Sequence, residues 1–368
     1  MKFEIERKNL LKGLSLIQGV VEKKKTLPIL LNVLIETIED KIVLTATDLE
    51  IGIKNTYDSK IIEPGKITVN AKKIFEIIKE LPDEIITIKS KENNWIEIKC
   101  RNSKFNILAL SPDEFPSINS NHSKNSIFLP SKKLNEMIDK TFNSMSIDET
   151  KYNLNGIFLH KTEDNNLRVI STDGHRLTLF ENELSFEKDI FEKGIIIPRK
   201  GITELKKITE TIDDDLEISL SDNNLVISNK EILLVIRLID GDFPDYKRVI
   251  PTNLENSATI NTSKLLQALR RISILANEKS RGINLVLSKD KLELNSSNPE
   301  YGNASDFIDI DYDGLDINIG FNAKYLLDAL TNIDTENIQI FISDNISPCL
   351  ITQENNKSYQ AVIMPMRL

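Results

Sequence analysis

Seven consecutive residues, STDGHRL at 171–177, hold the side chains of this sequence most suited to chemistry. Ser171, Asp173 and His175 are the residue types of a hydrolase triad, and His175 is one of 3 histidines among 368 residues. A working triad needs nucleophile, base and orienting acid joined in space, with the imidazole in hydrogen-bond reach of both others. Nearness along the chain does not supply that. Asp173-Gly174 has the composition of a hairpin turn, which sends the flanking side chains onto two adjoining strands. The sequence also has no GxSxG elbow, no phosphate loop and no paired-acid arrangement. The residue types therefore favour a polar hairpin. An enzyme centred on His175 and a purely structural repeat protein stand as rivals.

The elements that must carry this hairpin recur. A short β-like run, a polar cap position and a one-faced apolar helix appear as FEIERKNLLKGLSLI from Phe3, ITVNAKKIFEIIKEL from Ile67 and IFLPSKKLNEMIDKT from Ile127. The pattern returns as IIIPRKGITELKKIT from Ile195, TINTSKLLQALRRIS from Thr259 and INIGFNAKYLLDALT from Ile317. Stripes such as Leu265, Leu266, Leu269 and Ile272 have helical spacing, and Asn70, Ser131, Thr262 and Asn322 are the expected N-caps. Alternating strand-like segments succeed each helix, so one unit is a helix plus about four antiparallel strands. SPDEFPSI at 111–118 and DGDFPDYKRVIP at 240–251 close every second unit. Six units thus pair into three similar α+β domains, expected at 1–122, 123–250 and 251–368.

Composition fits a globular chain with 40% hydrophobic and 28% charged residues, too long for one core. Cys100 and Cys349 are isolated, so no disulfide framework, zinc site or other cofactor is expected. No apolar run suggests a signal peptide or approaches the ~20 residues of a membrane span, giving a soluble, cytoplasmic expectation with no membrane partner. The net charge of −9 argues against a polyanion partner, but its distribution does not. Lysines and arginines decorate the six helices, while acidic residues crowd the run at 213–215 and the segment Asp306–Asp316. A basic helix wall can meet phosphates while the whole remains acidic. No base-reading motif is present, so any such contact should be independent of sequence.

Six segments then carry a resemblance: TLPILLNVLIE at 26–36, TATDLEIGI at 45–53, STDGHRL, FPDYKRVIP at 243–251, LANEKSRG at 275–282 and VIMPMRL at 362–368. In order and across the whole length, they resemble the bacterial DNA polymerase III beta subunits, the replicative sliding clamps. The resemblance implies a head-to-tail homodimer, a ring of six domains around double-stranded DNA, with no catalysis. It implies partners that bind through short peptides: the polymerase III alpha subunit, the clamp loader, other polymerases and repair proteins.

Carried over by motif, the peptide groove comprises Leu154, Thr172, Gly174, His175, Arg176, Leu177, Pro244 and Val249. Its second half comprises Pro348, Val362, Met364, Pro365, Met366 and Leu368. The DNA-contacting residues would be Lys24, Lys151, Tyr152, Asn153 and Lys200. The dimer contact would join Lys73, Ile77, Phe105 and Ile107 to Ile274 and Leu275. Asn153 and Pro348 depart from an aromatic and a small polar residue found in relatives. Met364 and Met366, unbranched and polarizable, suit a groove that repacks around several partners.

Overall fold

The computed structural model describes residues 1–21, 27–118, 125–183, 190–191, 193–252, 254 and 256–367. The first repeat gives β1 (Lys2–Glu6), α1 (Arg7–Ile17), β2 (Asn32–Ile38), β3 (Lys41–Thr47), β4 (Ile51–Asp58) and an added strand β5 (Lys60–Glu63). The second gives β6 (Lys66–Asn70), α2 (Ala71–Glu80), β7 (Ile85–Ser90), β8 (Trp95–Cys100) and β9 (Ser103–Leu110). The third gives β10 (Ser126–Pro130), α3 (Ser131–Thr141), β11 (Gly156–Lys161), β12 (Leu167–Thr172) and β13 (Arg176–Asn182). The fourth gives β14 (Ile195–Pro198), α4 (Arg199–Thr211), β15 (Asp215–Ser221), β16 (Asn224–Ser228) and β17 (Ile232–Arg237). The fifth gives β18 (Ser257–Asn261), α5 (Thr262–Ser273), β19 (Gly282–Ser288), β20 (Lys291–Asn298) and β21 (Gly302–Asp309). The sixth gives β22 (Ile317–Asn322), α6 (Ala323–Thr331), β23 (Asn337–Phe341), β24 (Cys349–Gln353) and β25 (Asn356–Ile363).

Paired repeats make three α+β domains, each with two helices packed on antiparallel sheets. By compactness the chain divides differently, into one unit of 1–135 with 200–238 and another of 136–199 with 239–368. The reason lies in the middle third, which lends strands both ways. In the first unit one sheet of 13 strands runs β10-β15-β16-β17-β4-β3-β2-β6-β9-β8-β7-β1-β5. There β17 pairs with β4, setting Val235 opposite Gly52. In the second unit an 8-stranded sheet runs β14-β11-β12-β13-β25-β24-β23-β18, beside a 4-stranded sheet β21-β20-β19-β22. There β13 pairs with β25, setting Leu177 opposite Val362.

The helices are held by their apolar stripes. Leu10, Leu14 and Ile17 of α1 and Ile74 and Ile78 of α2 are completely buried in the first unit. Leu265, Leu269 and Ile272 of α5 and Leu326 and Leu330 of α6 are buried in the second. Truncating one such leucine to alanine costs about 2–5 kcal/mol. Gly13 lets α1 lie close on its sheet, since a Cβ there would stand 2.5 Å from the Tyr57 ring.

Two of the four expected caps form as read: Asn70 and Asn322 accept from the backbone of Lys73 and Lys324. The other two are corrected. Asn261, not Thr262, caps α5 by accepting from Lys264, and the Thr262 hydroxyl donates to the Thr335 carbonyl instead. Ser131 likewise spends its hydroxyl on the Ile212 carbonyl. In both cases a buried hydroxyl takes the tertiary acceptor within its reach.

Candidate peptide groove and DNA-facing residues

STDGHRL is a hairpin between β12 and β13, and its polar groups hold the turn. Thr172 Oγ1 donates to the Arg176 carbonyl at 2.6 Å and accepts from the Gly174 N–H at 3.1 Å. Asp173 Oδ1 accepts from the backbone N–H groups of His175 and Arg176 at 2.9 and 3.1 Å. Gly174 has φ +91°, a conformation that disfavours side chains. Ser171 is fully buried and donates to the Thr141 carbonyl, whereas His175 is exposed. Ser171 and Asp173 thus serve separate structural ends, and the exposed His175 contributes its backbone to the turn.

Arg176, expected in the groove, is held from the protein side. Its side chain is 8% exposed and its guanidinium is spent inside the protein. It donates to Asp173 Oδ2 at 3.1 Å, to Asp328 Oδ2 at 2.6 Å and to the Asn143 carbonyl, and lies over the Tyr325 ring. Its charge is thus paired and its three guanidinium nitrogens each have an acceptor. Arg199, stacked over Phe142, has its pKa lowered by burial and then by the Arg176 charge.

The turn, the chain end and a covering segment enclose an apolar cavity of about 140 Å³. Of the expected groove residues, Leu154, Thr172, Gly174, Arg176, Leu177, Pro244, Val249, Val362 and Met364 line it. Its floor is the pair Leu177–Val362, and the Met364 N–H donates to the His175 carbonyl at 2.9 Å, holding the chain end against the turn. Leu177, Val362, Ile170, Leu179, Tyr246, Phe341 and Leu350 form the apolar cluster beneath.

His175 instead lines a charged cleft with Lys151, Arg199 and Tyr325, and Met366 lines a polar one with Asn277 and Asn295. Pro348 and Pro365 line none of these cavities, and Leu368 lies outside the described residues. Sequence reasoning missed Phe243, Asp245 and Tyr246, which also line the groove. The signal was in FPDYKRV, whose aromatic residues stand on either side of Pro244.

Among the expected DNA contacts, Lys24 lies outside the described residues. Lys151 Nζ donates to the Asp173 carbonyl at 3.1 Å, and Asn153 donates to the Asp242 carbonyl at 3.2 Å. Tyr152 is exposed, and Lys200 is ion-paired to the nearly buried Asp48. Several helix lysines are paired as well, Lys73 with Glu76 and Lys207 with Glu204. The basic wall is therefore more neutralised than its sequence suggests. Of the expected dimer residues, Ile274 is 78% and Phe105 38% exposed, while Ile77, Ile107 and Leu275 are half-buried.

An apolar groove whose surrounding polar groups are committed to one another is built to hold a ligand rather than transform one. Comparison with known proteins specifies the class. Family models of the DNA polymerase III beta subunit match residues 1–119 (N-terminal domain), 128–245 (central domain) and 247–367 (C-terminal domain). A beta sliding clamp of Pseudomonas putida is 37% identical over 370 residues, covering 100% of both chains. The crystal structure of the DNA polymerase III subunit beta from Pseudomonas aeruginosa matches with TM-score 0.94 at 36% identity, covering 100% of both chains. A Caulobacter crescentus beta sliding clamp matches with TM-score 0.96 at 34% identity, covering 100% of this chain and 99% of that one. The chain belongs to the bacterial DNA polymerase III beta subunit family, the sliding clamps. It is a non-catalytic processivity factor of DNA replication that encircles DNA. Among the described residues no helix is long and apolar enough to cross a membrane.

Proposed function

We propose that the groove floored by Leu177 and Val362 receives short peptides of the polymerase III alpha subunit, the clamp loader, and other polymerases and repair proteins. The observation that carries this reading is the closed set of polar partners around an open apolar cavity. At about 140 Å³ the cavity suits a peptide side chain. One well-buried aliphatic or aromatic anchor supplies most of such an affinity. Met364 adapts the wall to different anchors. Pro348, Pro365, Met366, Leu368 and His175 belong to the rim of the same site in this reading, and Arg176 acts as its scaffold.

The partner copy is argued from the repeats. At each junction within the chain, the last strand of an even repeat pairs with the fourth β-strand of an odd one: β17 with β4, β25 with β13. The remaining pair in that scheme is β9 with β21. Among the described residues, β9 pairs β8 through residues 103–108 and meets β6 only at Ala109 and Leu110, while β21 pairs only β20. Joining β9 of one copy to β21 of the next repeats the junction and brings Phe105 and Ile107 toward Ile274 and Leu275. Two identical contacts close a two-fold homodimer. The domains then divide at 1–122, 123–250 and 251–368. Lys24, Lys151, Tyr152, Asn153 and Lys200 face the duplex phosphates, and the work is done in the cytoplasm, where bacterial DNA is replicated.

The test is retention after loading by a clamp loader. A closed ring stays on nicked circular DNA and runs off linear DNA of the same sequence. Neutralising Lys24, Lys151 and Lys200 together shortens residence and flattens the salt dependence, by roughly 0.9 in log–log slope for each phosphate no longer neutralised. Equal retention on linear and circular DNA overturns the ring reading.

A further inference from the structure

The sheet face that floors the groove continues past it. Along β12, Arg168 lies four residues from Thr172, an even offset that keeps both on one face, roughly 13 Å apart. Arg168 stands opposite His160 of β11 and Glu181 of β13. Its Nε and Nη2 donate to Glu181 Oε2 at 2.8 and 2.5 Å.

Tyr246, a wall of the groove, reaches this row with its hydroxyl. The oxygen accepts from Arg168 Nη1 at 3.0 Å and lies 2.9 Å from His160 Nε2. His160 Nδ1 lies 3.1 Å from the Lys161 carbonyl, which can only accept, so Nδ1 carries the proton. In the neutral ring Nε2 then accepts from the Tyr246 hydroxyl. A second link is aromatic: Phe243 of the groove stacks on Phe158 at 4.9 Å, and Phe158 lies 5.2 Å from His160.

Beyond Tyr246 this row opens into a polar cavity of about 560 Å³. Lys161, Arg168 and Lys247 outnumber Glu163 and Asp164 in its wall. Lys247 and the groove residue Val249 belong to one short helical turn, Tyr246–Val249. Groove and cavity are therefore neighbours, linked through Tyr246 and through the Phe243–Phe158 pair.

We propose that this cavity is a second subsite for the partner peptide, taking an acidic side chain about four residues from the one that fills the apolar groove. This rests on the peptide reading of the groove. A carboxylate there meets Lys247 and Arg168, and His160 becomes protonated beside it. A peptide is favoured over a DNA phosphate because the groove's Tyr246 bonds His160 and Arg168 of the cavity wall, and Arg168 shares a sheet face with Thr172 of the groove.

Calorimetry of the full chain against matched peptides tests it. The peptides carry one aliphatic anchor and either Glu or Gln, four residues before or after it. At low salt one Glu placement should bind about tenfold more tightly than its Gln partner, and Lys247→Gln should erase that gain. The His160 imidazole gives an independent signal, identified by its loss in His160→Asn. In the free chain its pKa is lowered by burial, then by Arg168 and Lys247, against the opposing Lys161 carbonyl and Glu181. The Glu peptide should raise it and the Gln peptide should not.

If both peptides bind and neither Glu placement gains, the subsite is wrong and the groove survives. If the Gln peptides fail to bind at all, the groove reading falls and the subsite with it. If duplex DNA raises the His160 pKa and the Glu peptide does not, the cavity holds phosphate and the peptide assignment is overturned.

Discussion

At Thr47–Gly52 and again at Thr172–Leu177 the chain makes the same turn. In both, the threonine hydroxyl donates four residues on, to Ile51 at 2.8 Å and to Arg176 at 2.6 Å. In both, an aspartate Oδ1 gathers two backbone N–H groups, Asp48 from Glu50 and Ile51, Asp173 from His175 and Arg176. Each turn feeds a strand that pairs with a distant repeat, Gly52 opposite Val235 and Leu177 opposite Val362. The space over the two strands differs. A Cβ on Gly52 would lie 2.8 Å from Ile118, so the end of SPDEFPSI fills the first junction. At the second, the related segment FPDYKRVIP leaves an open cavity over Leu177. The turn is a structural device used twice. The groove comes from removing the plug.

The contrast can be broken at several points. The largest effect is expected at the junction between copies, where Ile274→Asp with Leu275→Asp buries unpaired charge. Sedimentation should show a dimer dissociation constant raised at least about a thousandfold, roughly 4 kcal/mol, with peptide affinity intact. Removing Met364–Leu368 strips one wall of the open junction only. Peptide affinity by calorimetry should fall at least about a hundredfold, ~2.7 kcal/mol, in a chain whose circular dichroism is unchanged.

Filling the closed junction further, by Gly52→Leu, should cost about 1–3 kcal/mol in urea unfolding and leave peptide affinity alone. His175→Ala, at the rim, should weaken the peptide by no more than about fivefold. The smallest change is a pH effect. Burial holds His160 below its usual value, so the folded state binds fewer protons. That stability is present above about pH 6.5 and is lost as pH falls through the folded pKa. Urea midpoints at pH 5 and 7 should lie closer together in His160→Asn.

Helix starts and repeats were legible because they are local. The stripe of α5 and the asparagines at 70 and 322 state their structure within a few residues. Ser131 and Thr262 misled because their hydroxyls bond partners far along the chain, Ile212 and Thr335. The site was legible mainly through resemblance: Thr172, Leu177, Val249 and Val362 meet through a strand pairing that no local pattern encodes. Tyr246 was passed over because its ring walls the groove while its hydroxyl serves a different row. The pairing of Arg176 could not be read locally because one of its carboxylates, Asp328, stands on a distant helix.

The position of Val362 and Met364 in the groove also sets an order of events during synthesis. Chain emerges at about 5–20 residues per second, and the first unit has all its residues once Leu238 is made. Leu177, Pro244 and Val249 are present long before β25 arrives to pair with β13. Until then the sheet edge at Leu177 lacks its neighbour and the cavity has no far wall. A chain synthesised only as far as Val249 therefore has one side of this cavity, and in the peptide reading its binding waits for β25 to pair with β13.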